Sequence, residues 1–265
     1  MLLFLFFKTQ SASMIRMIIK SLIFSLCAIA IMLAFRLVLK TDTYLADVGG
    51  LGAFLTVFGT LYGIMAAFVV FEVWSQYNKT VELVNKEALG LERLFTLTLY
   101  FRDKDLSTHM KQAIENYANL VVEGKFKTLG AGKRNMETGR VFRKISHIIQ
   151  GIKFDDDHDQ IVFDHIADHF GRLSEVRTER ITQSLTRLPA LLKTFLYSSS
   201  IIALTTFILM PFQNTYYGFF TTGTLTFILA MIFQLVEDLD NPFVGYWNIS
   251  VEPFQRALKH IEEDY

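Results

Sequence analysis

The sequence predicts an all-α membrane protein with four transmembrane helices and an all-helical cytoplasmic region. Of the 265 residues, 51% are hydrophobic, and the mean hydropathy of +0.32 is high for an ordinary soluble domain. Long runs of the chain contain no charged residue, and a helix needs about 20 apolar residues to cross a bilayer. Between these runs apolar residues recur every three or four positions, and no sustained strand-like alternation is found.

The first predicted span is the uncharged run 21–35, which is bracketed by Lys20 and Arg36. Long basic side chains can reach the headgroup layers while their charges stay in water. A cleaved signal peptide is an alternative, because the segment from Met14 has a basic start and an apolar core. The apolar run continues through "IMLAF", where a mature start is usually polar, so we expect an uncleaved span. Whether Met1 or Met14 is the true start stays open.

Three further spans are predicted from two uncharged runs. The run 48–71 has 24 residues and forms the second span. Its glycines, which allow close helix contacts, are Gly49, Gly50, Gly52, Gly59 and Gly63. The run 194–236 has 43 uncharged residues and is interrupted by "MPFQNTYYG", in which proline, asparagine and glycine favour a turn. It therefore fits two spans joined by a tight hairpin.

Basic residues near the ends of the spans predict the orientation of the chain. Lys8, Arg16 and Lys20 precede the first span, and the region 79–193 is rich in Lys and Arg. The loop after the first span carries both signs of charge, and the hairpin carries none. We therefore expect a multi-pass protein of the bacterial inner membrane with both termini in the cytoplasm. The 26 acidic and 26 basic residues balance, so nucleic acid is not an expected partner.

The spans divide the chain into four segments. These are an N-terminal segment with the first transmembrane pair at 1–77, a cytoplasmic helical region at 78–193, the second transmembrane pair at 194–236, and a cytoplasmic C-terminal segment at 237–265. The only cysteine, Cys27, lies in the first span, so it is a poor nucleophile and gives no intrachain disulfide.

Four helices are predicted in the cytoplasmic region. The first, over 78–101, continues the second span, because its apolar residues advance by three and four. They are Val81, Val84, Ala88, Leu91 and Phe95. The others are expected at about 106–122, about 137–150 and from about 157, and Pro189 predicts a kink or break before the membrane. The stretch "LGAGKRN" at 129–135 lacks the spacing of a phosphate-binding loop and is expected to be a basic turn.

A helical face with three histidines is a candidate metal site. His158, His165 and His169 are spaced by seven and four residues, so a continuous helix places them on one face, next to several aspartates. Imidazole and carboxylate are common ligands of zinc and similar ions. The alternative is a solvated edge beside the apolar stripe. No catalytic triad context or dinucleotide fingerprint is found, so we do not expect an enzyme.

The second span carries a stripe of small and hydroxyl-bearing residues. Gly52, Thr56, Thr60, Ile64 and Phe68 recur at four-residue steps, with Gly59 and Gly63 beside them. Such a stripe suits a packed helix interface, and it also suits a water-lined path. At its end the aromatic residues of "FVVFEVWSQYNK" lead into the charged helix, which is typical of a helix leaving the bilayer through an aromatic belt.

Two distant motifs resemble those of bestrophins. "GIMAAFVVFEVWSQYNK" at 63–79 is similar to the end of the second bestrophin helix. "VEDLDNPFVG" at 236–245 is similar to the acidic stretch after the last bestrophin membrane helix, with Asn241 in place of an aspartate and Val244 inserted. With "EALGLERL", "RLPALL" and "SVEPFQRAL", these motifs make the chain similar to bacterial bestrophin-like membrane proteins.

The resemblance implies a homopentameric ion channel in the lipid bilayer, with the second span lining a central pore. Alignment of the first motif implies that Thr56, Thr60 and Ile64 occupy the three neck positions, with Gly63 beside them. It places Glu72 and Trp74 at the inner mouth. The implied cargo is a small inorganic ion, first chloride or another anion, although bacterial relatives can prefer cations. The family neck is bulky and apolar, whereas two threonines hold water more readily.

The resemblance also implies a calcium site near Glu237, Asp238 and Asp240, although the acidic run is shorter than in animal bestrophins. No cofactor is expected to be required, but calcium or another divalent ion is possible. An acidic cap at the end of the fourth span is the alternative. Two other functions stay open: a non-conducting scaffold or sensor that binds a partner through its cytoplasmic helices, and a metal-dependent membrane enzyme using His165 and His169.

Overall fold

The computed structural model describes residues 2–39, 48–126, 136–154 and 157–263. Most of these residues are helical and none of them forms a β-strand, which confirms the predicted all-α class. The predicted basic turn at 129–135 lies outside the described residues.

Eight α-helices follow one another along the described chain. They are α1 (Leu2–Leu39), α2 (Val48–Leu99), α3 (Lys104–Leu120), α4 (Met136–Gln150), α5 (Asp157–Leu185), α6 (Ala190–Leu209), α7 (Thr215–Leu239) and α8 (Glu252–Glu263). A π-helical turn, Val121–Lys125, follows α3 directly. The helix predicted at about 106–122 is thus an α-helix that ends at Leu120 and continues as a wider turn.

The helices form two compact units. The membrane unit contains residues 1–75 and 187–240, and the extramembrane unit contains residues 76–186 and 241–265. Four helical stretches are long and apolar enough to cross a membrane: Met14–Val38, Val48–Leu99, His158–Leu209 and Thr215–Leu239. The third contains α6, so the four predicted spans are confirmed.

In the membrane unit, α1 packs closely against α7. The Ser25 hydroxyl donates to the carbonyl oxygen of Gly223 at 2.8 Å. A Cβ atom on Gly223 would lie 2.9 Å from Ile29 Cδ1 and 3.1 Å from Ser25 Oγ, so a larger residue there would force the α1 side chains to move. About three turns further along α7, Gln234 Nε2 donates to the Ser21 hydroxyl at 2.8 Å. Polar contacts and small residues therefore hold these two spans together.

The α6–α7 hairpin is capped from both sides. The Asn214 side chain accepts hydrogen bonds from the Tyr216 and Tyr217 amides and so begins α7. The Arg36 guanidinium donates to the Thr215 hydroxyl at 3.3 Å and to the Met210 carbonyl at 3.4 Å. Arg36, which is predicted to reach the headgroup layer, thus binds the backbone at the C-terminal end of α6, where a cation is favoured.

The extramembrane unit has one hydrophobic core, to which the polar half of α2 contributes its apolar face. Val84, Ala88, Leu91 and Phe95 are all buried there, as the spacing predicted. Phe126, just after the π-helical turn, stacks on Phe243 with ring centroids 4.8 Å apart. Residues after the last span thus complete the core of this unit.

Charged residues lie inside that core. Glu87 is 0% and Arg180 3% exposed, and the Arg180 guanidinium forms a salt bridge with the Glu87 carboxylate. The Tyr117 hydroxyl also donates to Glu87, and Arg177 Nε donates to the Tyr117 oxygen at 3.1 Å. The Arg177 guanidinium lies 4.8 Å above the Phe142 ring. This cluster joins α2, α3, α4 and α5.

The pKa values of Tyr117 and Arg180 are both raised in this cluster. Burial raises the pKa of Tyr117, and the negative charge of Glu87 raises it further, so Tyr117 is a neutral donor. Burial alone would lower the pKa of Arg180, but the charge of Glu87 outweighs it and the pKa rises above its usual range. Arg180 is therefore a permanent buried cation.

Candidate pore helix and its flanking charges

The candidate pore residues lie on α2, which runs for 52 residues without interruption. At a rise of 1.5 Å per residue, this helix is about 78 Å long. It contains no proline, and its polar half begins directly after the aromatic residues, as predicted. One continuous helix therefore contributes residues both to the second span and to the extramembrane core.

One side of the spanning part of α2 is packed within the membrane unit. Ala66, Val69 and Val73 are buried, and the Tyr62 hydroxyl lies 2.8 Å from the Ser200 hydroxyl of α6. On a helix these residues occupy one face. The other described residues leave the opposite face of α2 uncovered.

The predicted pore residues lie on that uncovered face. Thr56, Thr60 and Gly63 are exposed, and the Ile64 side chain is 51% exposed. The Thr56 hydroxyl donates to the Gly52 carbonyl at 2.9 Å, and the Thr60 hydroxyl donates to the Thr56 carbonyl at 2.8 Å. Each hydroxyl proton is thus used within the helix. The oxygen lone pairs are left to face outward.

Gly52, Gly59 and Gly63 make no close packing contact with the described part of the chain. A Cβ atom on Gly52, Gly59 or Gly63 would meet no other atom within 4 Å. Only 11% of the most apolar window of α2 is buried, compared with 33% for α7. A single chain therefore leaves the second span more exposed than any other predicted span.

An open apolar groove of about 540 Å³ lies beside α2. It is lined by Tyr62, Gly63, Ala66, Ala67, Val70, Phe71, Trp74 and Ile232. Glu72 and Trp74, the predicted inner-mouth residues, are both exposed near its lower end. The groove has almost no polar wall, which suits lipid or another apolar helix rather than a polar ligand.

The acidic stretch at the C-terminal end of α7 is engaged in a salt-bridge network. Lys193 Nζ lies 2.8 Å from Asp240 Oδ2 and 3.3 Å from Glu237 Oε2. The other Asp240 oxygen accepts the Leu188 amide at 2.6 Å, and the Tyr197 hydroxyl donates to Glu237. An ammonium group thus lies between the two carboxylates, while Asp238 is largely buried. The predicted calcium site at these residues stays a prediction.

The three histidines lie on one continuous helix, α5, as the spacing required. His169 lies against α2, with Nε2 2.9 Å from the Gly90 carbonyl oxygen. His165 is exposed, and His158 Nδ1 lies 3.7 Å from Asp159. In the described part of the chain, no three His, Cys, Asp or Glu side chains are grouped as a metal site requires. Metal binding by His165 and His169 stays a prediction.

The sequence pattern did not predict the buried cluster around Glu87 and Arg180 or the contacts of Lys193. Glu87 carried a signal, because it falls between Val84 and Leu91 on a face that is otherwise apolar. In the sequence Lys193 stands directly before an uncharged run. Its partners, Glu237 and Asp240, are more than forty positions away. Only packing brings them together.

The chain is similar to proteins of one known family. The model of the bestrophin-like domain matches residues 3–254. No curated protein matches the chain. Solved structures of a bacterial bestrophin homologue from Klebsiella pneumoniae, each a point variant, are similar in fold. One has a TM-score of 0.71 at 11% identity, covering 94% of this chain and 98% of its own. A second has a TM-score of 0.69 at 12% identity, covering 93% and 96%.

Proposed function

Because the chain belongs to the bestrophin-like family, we propose that it is an ion channel of the bacterial inner membrane, with both termini in the cytoplasm. Five copies surround one pore, and α2 of each copy lines it. Thr56, Thr60 and Ile64 form successive rings of the neck, and Glu72 and Trp74 flank the inner mouth. The protein moves small ions and performs no catalysis.

One observation carries this proposal: the threonine and isoleucine face of α2 is exposed although it belongs to a span. A lipid-facing helix has no need of repeated hydroxyls and glycines, whereas a pore or a helix contact does. Residues 66, 69 and 73, on the opposite side, already fix the helix within its own unit. The face is therefore free to line a path between copies.

The threonine geometry bears on the charge of the ion. Since each hydroxyl proton is donated to the helix backbone, rings of Thr56 and Thr60 present oxygen lone pairs to the pore. Oxygen acceptors stabilise cations, and a ring of Glu72 carboxylates at the mouth acts in the same direction. We therefore favour small cations over the anions that the resemblance suggests first.

Ion flux through the purified protein in liposomes tests the proposal, under separate sodium and chloride gradients. Thr60→Trp fills the neck and should abolish flux, because five indoles occupy one ring. Phe220→Trp is the matched control, since Phe220 is 70% exposed on α7, away from the pore face. Intact oligomers that pass neither ion would overturn the channel and make a scaffold the better account.

A further inference from the structure

A stripe of basic residues runs along the outer side of α4. Arg140, Arg143, Lys144 and His147 are all exposed, and their spacing of three, four and seven places them on one face. The buried residues of α4, among them Phe142, lie on the opposite side. We call these four residues the cationic stripe.

Ion pairs do not offset the charge of the cationic stripe within the described part of the chain. Among the described residues, no carboxylate lies within salt-bridge distance of Arg140, Arg143 or Lys144. His147 has only a contact with Gln150, at 3.4 Å. The whole chain has a formal net charge of zero, so this concentration of positive charge is local. Concentrated charge of one sign is typical of a surface that meets the opposite sign.

A stripe of the opposite sign runs along α5. Asp164, Asp168, Glu175 and Glu179 are exposed on one face, opposite the buried Leu173. Two of these acids have local partners: Arg172 Nε donates to Asp168 at 3.1 Å, and Lys79 lies 2.7 Å from Glu179. Asp164 and Glu175 have no such ion pair among the described residues. We call these four residues the acidic stripe.

The acidic stripe borders an open groove of about 660 Å³, the α5 groove. Besides Glu175 and Glu179, the groove is lined by Phe170, Gly171 and three small hydroxyl residues. A Cβ atom on Gly171 would meet nothing within 4 Å, so the groove is open there. Small side chains allow another helix to approach closely, and the acids beside them select a basic one.

The two stripes cannot pair inside one chain. α4 and α5 of the same chain pack through the stacked Phe142 and Phe170 rings, 5.2 Å apart, and through Arg177 above Phe142. Phe142 and Arg177 lie on the sides opposite to the cationic and the acidic stripe. Both stripes therefore point away from the contact that joins their helices.

We propose that the cationic stripe on α4 of one copy docks in the α5 groove of the next copy. The inference rests on the homo-oligomer of the proposed function. Two different surfaces that complement each other make a head-to-tail contact, and such a contact forms a ring when the rotation between neighbouring copies closes. The proposal explains why a chain with no net charge separates its charges onto two helices.

Charge reversal tests this contact. The double variant Arg143→Glu and Lys144→Glu places acids opposite acids and should weaken association at least about tenfold. Adding Asp164→Lys and Glu175→Lys to the same chain restores opposite charges at every contact of a ring and should restore assembly. Native mass spectrometry of the full-length protein in detergent at low salt reads the number of copies.

The matched control is the double variant Arg256→Glu with Lys259→Glu on α8. These exposed residues form ion pairs within their own helix, with Glu252 and Glu263. The proposal would be overturned if the α4 double variant assembled as well as the wild type. It would also be overturned if the fourfold variant did not recover assembly. Binding of the wild type to anionic-lipid vesicles, lost in an α4 variant that assembles normally, would assign the stripe to lipid instead. If the reversal prevents folding, Arg143→Gln with Lys144→Gln gives the same comparison. If the channel proposal is wrong, intact oligomers pass no ions, and this result is distinct from a loss of assembly.

Discussion

Arg180 and Glu87 illustrate how a single residue pair stabilises the extramembrane unit. Both are buried, and their partners come from helices distant in sequence. A buried charge that loses its partner keeps its desolvation penalty, whereas an exposed charge does not. The pair therefore matters more for stability than the surface ion pairs of the same unit.

Replacing Arg180 with methionine should lower the free energy of unfolding by about 3–5 kcal/mol, because Glu87 is left buried without its cation. Denaturation followed by Trp247 fluorescence, in a Trp74→Phe background, reports this unit alone. Arg172→Met removes an exposed partner of Asp168 and should leave the midpoint unchanged. Equal midpoints for Arg180→Met and wild type would contradict the assigned role.

At the scale of elements, α2 and α5 come into close contact at Gly90. A Cβ atom there would lie 2.8 Å from Leu173 Cδ1, and the carbonyl of the same residue is in contact with His169. Both features need the two helix backbones near each other. The motif "EALGLERL" thus contains a packing glycine as well as the buried Glu87.

Gly90→Val should destabilise the extramembrane unit by about 1–3 kcal/mol, because Leu173 is itself buried and has little room to move. The same denaturation measurement detects the change. Leu173→Ala also costs stability, but the double variant should lose less than the sum of the two single variants. Additive losses would show that the two side chains do not compete for space.

Helices with a strong local pattern were predictable from the sequence. The uncharged runs predicted the four spans, and apolar spacing predicted the polar half of α2, α4 and the start of α5. α8 was missed, although the Ser250 hydroxyl caps its first turn and Phe254, Ala257 and Ile261 repeat at helical spacing. A 12-residue helix has little local signal beyond its cap, and its burial against the core decides its place.

The candidate site was predictable only in part, for a physical reason. The exposed threonine and isoleucine face follows from periodicity along one helix. By contrast, the Arg36 contact with the hairpin and the Lys193 contact with Asp240 join residues far apart in sequence. Such contacts depend on how helices pack, which a single sequence does not encode locally.

At the scale of the whole molecule, the neck of the proposed channel has one large apolar ring, Ile64. Ile64→Ala should raise flux per oligomer without changing the number of copies, because a wider and less apolar ring holds water more readily. Liposome flux and native mass spectrometry measure the two effects. Ile202→Ala, on an exposed face of α6, is the control and should change neither. Unchanged flux in Ile64→Ala would place the narrowest ring elsewhere.

The bond between the Leu188 amide and Asp240 spans 52 positions and closes the α6–α7 hairpin at its base. During synthesis this bond can form only after residue 240 has left the ribosome, when both spans already exist. The extramembrane core waits longer still, because Phe243, Phe254 and Ile261 belong to it. Residues translated after the fourth span therefore complete a unit begun at residue 76, and a ribosome that stops before them releases a chain whose core is open.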